Sequence, residues 1–166
     1  MTASNAPSDT SPASDQLERI AAAATGKREQ RKQIDMGHYG ICIAADGTWY
    51  HQGAPFTRLA LVKLFATILH RDDDGGYSLR TPVEHGKITV DDAPFTIVEA
   101  WYDDTGSPEM TSRRLMLRTN IDRIVTADTD HRIRVVTDPE TGEPRPYIDT
   151  GNNLDALILR SVFYDL

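Results

Sequence analysis

The feature that most constrains this chain is an apolar run at residues 59–69, reached through a turn-rich stretch that begins at Asp46. Leu59, Ala60, Leu61, Val62, Leu64, Phe65, Ala66, Ile68 and Leu69 leave Lys63, Thr67 and His70 as the polar positions, spaced by four and then three. On a helix that spacing forms one thin polar stripe, which predicts a helix buried around most of its circumference. The run is too short, and too closely flanked by charge, to span a membrane. Upstream, Asp46-Gly47 sits between β-prone residues 39–45 and 48–51. It predicts a hairpin, because glycine accepts the positive φ of the turn. Gly53 and Pro55 then stop the second strand, and Thr57 is the expected N-cap of the helix. Arg58 breaks the local rules: a cation at a helix N-terminus opposes the dipole. It asks for an anionic partner, either a ligand or a neighbouring carboxylate.

At 166 residues the chain makes one domain or two small ones. Its net charge of -7 argues against general binding of a nucleic-acid polymer by counterion release, while leaving room for a local basic pocket. The single Cys42 reads as a small buried hydrophobe on a strand, and no disulfide can form within one chain. The first residues lack the basic and apolar regions of a secretory signal. The expected location is therefore cytoplasmic, in a bacterial-type protein.

Residues 1–14 are mostly Ser, Thr, Ala, Pro and Asp and are expected to stay disordered. Residues 15–25 are a helix candidate ended by Gly26, and residues 27–32 are a basic cluster that reads as a solvated face. After the apolar run, Asp72-Asp73-Asp74-Gly75-Gly76 is a turn. Set against a calcium loop, it would place His70 at the first ligand and Thr81 at the twelfth, so an EF-hand is rejected. Strands are expected at 77–80, 87–90, 95–102, 112–119, 121–126, 133–137 and 145–149. His85-Gly86 is expected to turn, Asp91 to Pro94 to break a strand, and residues 103–106 to close a hairpin. A final helix is expected at 154–164, with Leu154, Leu157, Ile158, Ser161 and Val162 on one face. A loose internal repeat sets Thr141-Gly142, Pro146-Tyr147, Gly151 and the last helix against Asp46-Gly47, Trp49-Tyr50, Gly53 and the 59–69 helix.

No strong catalytic constellation appears. His51, His85 and His131 lack metal-ligand spacing and there is no Cys pair, so neither a metal nor a cofactor is expected. No nucleophile elbow and no phosphate-cradling glycine loop occurs. Asp128, Asp130 and His131 lie in a loop where Asp ordinarily stabilises a turn. A more telling group falls at the ends of predicted elements: Tyr50, His51, Arg58, Thr81, Glu84, Asn120, Arg145 and Tyr147. Element ends present pocket residues; Arg recognises phosphate and aromatic rings offer a flat face. The plainer alternative is a set of capping and inter-domain hydrogen bonds.

Gly47-x-Trp49-Tyr50-x-x-Gly53, Arg58-x-x-Leu61-Val62-x-Leu64-Phe65-x-x-Ile68-Leu69, Tyr77-x-Leu79-x-Thr81-Pro82-Val83-Glu84 and Ile88-x-Val90-x-Asp92-Ala93-Pro94-Phe95 together resemble a bacterial family known as domain of unknown function 1285. Arg145-Pro146-Tyr147, Leu154-x-Ala156-Leu157 and Arg160-x-x-Phe163-Tyr164-x-Leu166 agree with it. The resemblance covers residues 34–166. It implies an α+β fold of two small related domains with a duplicated core, each a short antiparallel sheet with a packed helix. The N-terminal sheet-helix domain would span 34–93, after a helical segment at 15–33. A pleckstrin-homology-like C-terminal domain, its curved sheet closed by a terminal helix, would span 94–166. The resemblance also implies a ligand site between the halves, a nucleotide-derived ligand and a role in signal transduction. It leads one to expect a basic residue near position 151, where this chain has Gly151.

The reading favoured by the sequence is a non-enzymatic binding protein. Arg58 and Arg145 would hold the ligand's charge, Trp49, Tyr50 or Tyr147 its flat face, and Thr81 and Glu84 its polar edges, with His51 and Asn120 beside them. The alternative is a protein-interaction adaptor that presents a sheet edge or groove to a protein partner. An enzyme acting on a nucleotide ranks third, because its base would have to be His51 or Glu84.

Overall fold

The computed structural model describes residues 12–26, 32–104 and 113–166. Most of the expected N-terminal tail, the basic cluster apart from Lys32, and the tip of the 103–106 turn lie outside the described residues. Helix α1 spans Pro12–Ala24, beginning inside the stretch expected to be disordered. Proline suits a first helical turn, where its missing N–H has no intrahelical acceptor. Ile20 is fully buried, with Leu17, Ala21 and Ala24 packed against the core, so this apolar face anchors the helix.

The first sheet contains β1 (Ile34–Ile43), β2 (Trp49–His51), β3 (Ala54–Pro55), β4 (Leu69–Arg71), β5 (Tyr77–Arg80) and β6 (Glu84–Val90), with α2 (Leu59–Ala66) between β3 and β4. The Asp46-Gly47 hairpin forms as read. Thr48 N donates to Asp46 Oδ1 at 2.9 Å and Gly47 takes φ +87°. Trp49, Phe56 and Phe65 pack ring against ring, with centroids 5.9 to 6.5 Å apart. This aromatic cluster seats α2 on the sheet.

Helix α2 is shorter and less covered than the sequence predicts. It has eight residues; Val62 and Phe65 are buried, while Leu59 remains 49% exposed. Its N-cap is Arg58 instead of Thr57, and no side chain caps it. The apolar run is long because it serves two elements. Thr67 Oγ1 donates to Leu64 O at 2.6 Å as the helix ends, and Leu69 opens β4 opposite Leu79. His85-Gly86, expected to turn, lies inside β6, where Gly86 faces Leu79. A Cβ on Gly86 would lie 2.5 Å from the Tyr39 ring, so the glycine serves close packing within the strand. Cys42 is half-buried, with its thiol 3.7 Å from Asp91 Oδ1.

The second sheet contains β7 (Phe95–Asp103), β8 (Arg114–Thr119), β9 (Ile124–Thr126), β10 (Ile133–Thr137), β11 (Pro144–Asp149) and β12 (Asp155–Ile158), followed by the four-residue α3 (Arg160–Phe163). The helix expected at 154–164 is thus a strand and one helical turn. Asp155, Ala156 and Ile158 are buried because β12 sits between β11 and β7, and an apolar run buried on both faces of a sheet has no helix-specific period.

The strand order of the first sheet is β3-β2-β1-β6-β5-β4, and that of the second, read from its other end, is β9-β8-β7-β12-β11-β10. The two are the same order. In each, the first and last strands of the half pair in parallel at the centre, β1 with β6 and β7 with β12, and every other pair is antiparallel. The sheets are therefore mixed at one central pair. The fold is α+β with a duplicated core.

The repeat is aligned differently from the sequence reading. Thr81 N and Thr150 N receive the same treatment, donating to Glu84 O at 2.8 Å and Leu154 O at 2.9 Å. Each threonine hydroxyl bonds that same carbonyl. From these anchors, Leu79 matches Ile148, Gly86 matches Ala156 and Ile88 matches Ile158 through the strand registers. Pro146-Tyr147 therefore corresponds to β5 instead of to Trp49-Tyr50, and among the described residues of the second half no helix matches α2. One continuous buried cluster, from Ile20 to Val162, runs through both halves.

Candidate functional site

The structure distributes the sequence-predicted residues over three places. The first is a cleft of 310 Å³ between α1 and the β3–α2 connection, lined by Ser14, Leu17, His51, Phe56, Arg58 and Leu61 among others. β2 positions His51 here. It is 6% exposed, and its Nε2 lies 2.8 Å from Gln16 Oε1 on α1. Burial lowers the His51 pKa, outweighing a backbone hydrogen bond with Tyr39, so the imidazole is neutral near pH 7. Arg58 is exposed at the uncapped start of α2; its carbonyl accepts from Leu61 N and Val62 N, while its guanidinium makes no ion pair or hydrogen bond among the described residues. Trp49 is buried in the aromatic cluster, and its Nε1 has no hydrogen-bond partner among the described residues. Tyr50 lies on the opposite face of β2, half-buried, across from Cys42 and Pro55.

The second place is the β5–β6 turn, which holds Thr81 and Glu84. Thr81 Oγ1 accepts from Val83 N and Glu84 N, and Gln33 Nε2 donates to Thr81 O at 2.6 Å. Glu84 is 6% exposed and pairs with Arg19 of α1 at 3.5 Å. Burial, and after it the Glu84 carboxylate, push the Tyr39 phenol well above its ordinary pKa. Thr81 lines a polar cleft of 500 Å³ with Gln33, His70 and Arg80. These contacts fasten α1 and β1 to the sheet.

The third place is the junction of the halves. Asn120 N donates to Thr96 O, its Oδ1 accepts from Thr96 N, and its Nδ2 donates to Gly47 O at 3.3 Å. A Cβ on Gly47 would lie 2.8 Å from Asn120 Nδ2, so this glycine serves the junction as well as its own turn. Tyr147 OH donates to Asp92 Oδ1 at 2.7 Å, and Arg145 reaches Asp92 at 3.4 Å and Asp138 at 3.5 Å. Burial, then the Asp92 hydrogen bond, raise the Tyr147 pKa.

Beside them lies a clasp that sequence reasoning missed. Asp155 takes two hydrogen bonds from Arg134, at 2.8 and 2.7 Å, and lies 3.6 Å from Arg71 of the first half. The two guanidiniums stand over Tyr147 and Tyr77, at 5.2 and 5.6 Å from the ring centroids. Lys63 adds an exposed bridge to Asp122 at 2.9 Å. No short motif announces these partners, since each joins elements distant in the chain.

The capping and inter-domain reading therefore accounts for Thr81, Glu84, Asn120, Arg145 and Tyr147. His51 and Arg58 are brought together in one cleft, and Trp49 lies in the cluster that supports it. Asp128 acts as a turn residue, its Oδ1 accepting from Asp130 N and His131 N. Gly151 takes φ +104° in the β11–β12 turn, and a Cβ there would lie 3.6 Å from Arg123 Nη2. A cation thus stands next to the position, although Gly151 supplies none. Among the described residues no group of His, Cys, Asp and Glu could hold a metal ion, and no helix is long and apolar enough to cross a membrane.

Residues 30–93 match the family model described as "Domain of unknown function (DUF1285), N-terminal domain", and residues 94–166 match "Protein of unknown function (DUF1285), C-terminal domain". The chain is similar to the crystal structure of a DUF1285 family protein from Silicibacter pomeroyi DSS-3. The identity is 37% and the TM-score 0.77, over 90% of this chain and 81% of that one. A second DUF1285 family protein, from Shewanella baltica OS155, is 27% identical with a TM-score of 0.55, over 76% of this chain and 88% of that one. No curated protein matches the chain. Two family models that together span both sheets, and a 37% identical relative, establish that this chain belongs to the DUF1285 family.

Proposed function

We propose that this protein is a non-enzymatic binding protein for a small anionic, nucleotide-derived ligand, acting in cytoplasmic signal transduction. The observation that carries the proposal is Arg58. It stands at an uncapped helix N-terminus, beside a cleft, without an acidic partner among the described residues. Cation and helix dipole both favour an anion there. Arg145, the other arginine expected to hold charge, already faces Asp92 and Asp138. The proposed site thus moves from the interface between the halves to the α1–α2 cleft. Phe56 supplies the apolar wall, and the neutral His51 leaves Arg58 as the charged contact.

The test is a thermal-shift panel of nucleotides and dinucleotide second messengers on native protein. A ligand at a hundredfold excess over its dissociation constant stabilises by about 2.7 kcal/mol. Arg58→Ala should abolish that shift while leaving the unliganded melting temperature unchanged. A shift that survives the substitution places the ligand elsewhere.

The adaptor reading rests on a different observation, the bare edge strand β10. A flat ligand panel, with one stoichiometric partner that a β10 variant fails to hold, would replace the ligand reading. The enzyme reading gains nothing from the geometry. Glu84 is engaged by Arg19, and His51 by Gln16, in different places.

A further inference from the structure

We propose that two copies of this chain associate through β10, antiparallel about Val135, so that their second sheets join into one. The two sheets have four edges. β3 has two residues, β4 and β9 three each, and β10 five. Short edges protect themselves; a long one usually carries proline, lysine or a covering element. β10, Ile133-Arg134-Val135-Val136-Thr137, has no proline or lysine, its one charge, Arg134, is taken up by Asp155, no described element covers it, and all five residues are exposed. Val135 is 53% exposed and Val136 47%.

The hydrogen-bond parity of the strand shows which backbone groups are free. Val135 lies opposite Pro146 and Thr137 opposite Pro144, and proline has no N–H to give. The ladder runs instead through the alternate residues, continuing with Asp138 N to Glu143 O at one end and Asp149 N to Arg132 O at the other. Ile133, Val135 and Thr137 therefore turn their N–H and C=O groups to the open edge.

A second copy is the occupant that this edge fits. An antiparallel copy centred on Val135 sets Ile133 against Thr137 and Val135 against itself, matching all three outward residues. The same register places Arg132 opposite Asp138, and no like charges meet within the strand. Sliding by one step to centre on Arg134 would set two arginines face to face and is disfavoured. Centring on Val136 leaves Ile133 without a strand partner. The register is thus selected by charge as well as by overlap. One five-residue edge is small for a stable interface, so the association should depend on concentration in the micromolar range.

Sedimentation velocity of the full chain, across a dilution series from about 1 μM to about 1 mM, tests this. The expected result is a monomer–dimer equilibrium. Val135→Pro removes an outward N–H without touching the β10–β11 ladder, and should raise the dissociation constant at least about tenfold. Val135→Lys serves if the proline variant melts early, because two lysines would then face each other only in the dimer. A chain that stays monomeric throughout overturns the proposal. So does a dimer that a folded Val135→Lys variant leaves unchanged.

Discussion

In the first half an eight-residue helix stands between the third and fourth strands; in the second half the same connection, residues 127–132, carries no helix. α1 and α2 cover the first sheet, bury its aromatic cluster and leave a cleft where they meet. No described helix covers the start of β10, whose apolar residues stay exposed. The same strand order thus supports two kinds of surface. Helical insertion makes a concave one suited to a small molecule, and omission leaves a backbone edge suited to another strand.

Gly86 and Ala156 offer the sharpest way to break this equivalence. They occupy matching places, but Gly86 has the Tyr39 ring where a Cβ would be, whereas Ala156 already carries one. Gly86→Ala should destabilise by about 3 kcal/mol through overpacking, and Ala156→Gly by about 1 kcal/mol. Urea denaturation measures both; equal costs would show that the halves pack alike at this point.

A smaller effect is expected at the clasp between the halves. Asp155→Asn leaves Arg71 and Arg134 without their shared carboxylate and should cost about 2 kcal/mol, since both guanidiniums can regain water. Unfolding followed separately in the two halves should lose coincidence if this clasp couples them. An unchanged single transition would assign the coupling to the shared apolar core.

The two turns that join fourth and fifth strands should respond differently to acid. Burial would raise the Asp72 pKa, but hydrogen bonds from Lys87, Ser78 and Arg80 outweigh it and bring it down to about 2. With its unfolded value near 3.8, the contribution is complete above that pH and disappears as pH falls toward 2. Asp72→Asn should cost about 1 kcal/mol at pH 7, after screening of its half-exposed partners, and progressively less as pH falls through about 2. Asp138, in the second half, is lowered by the backbone N–H groups of Glu140 and Thr141. A melting-temperature profile against pH should therefore flatten more for Asp72→Asn than for Asp138→Asn.

Local chemistry was readable wherever neighbours in the chain act on each other. The Asp46-Gly47 hairpin, the β10–β11 turn and the Asp128 turn need only a few consecutive residues, and each forms as its sequence says. Arg58 was also legible, because its conflict with a helix terminus is a local fact. The junction was not. Tyr147 and Asp92 are 55 positions apart, and only strand order brings them together. Arg145 has the composition of a ligand contact but is spent on a neighbouring carboxylate.

What the sequence by itself determined is where the Asp-led turns at Asp46, Asp128 and Asp138 fall, and which runs are apolar enough to join the core. Tertiary structure decided which apolar runs become helices. Residues 155–158 form a central strand because β7 and β11 supply hydrogen-bonding partners on both sides, whereas residues 59–66 remain a helix on the face of a sheet. The physical reason is that hydrophobic burial has no direction, while backbone hydrogen bonds do, and their partners are chosen by the whole fold.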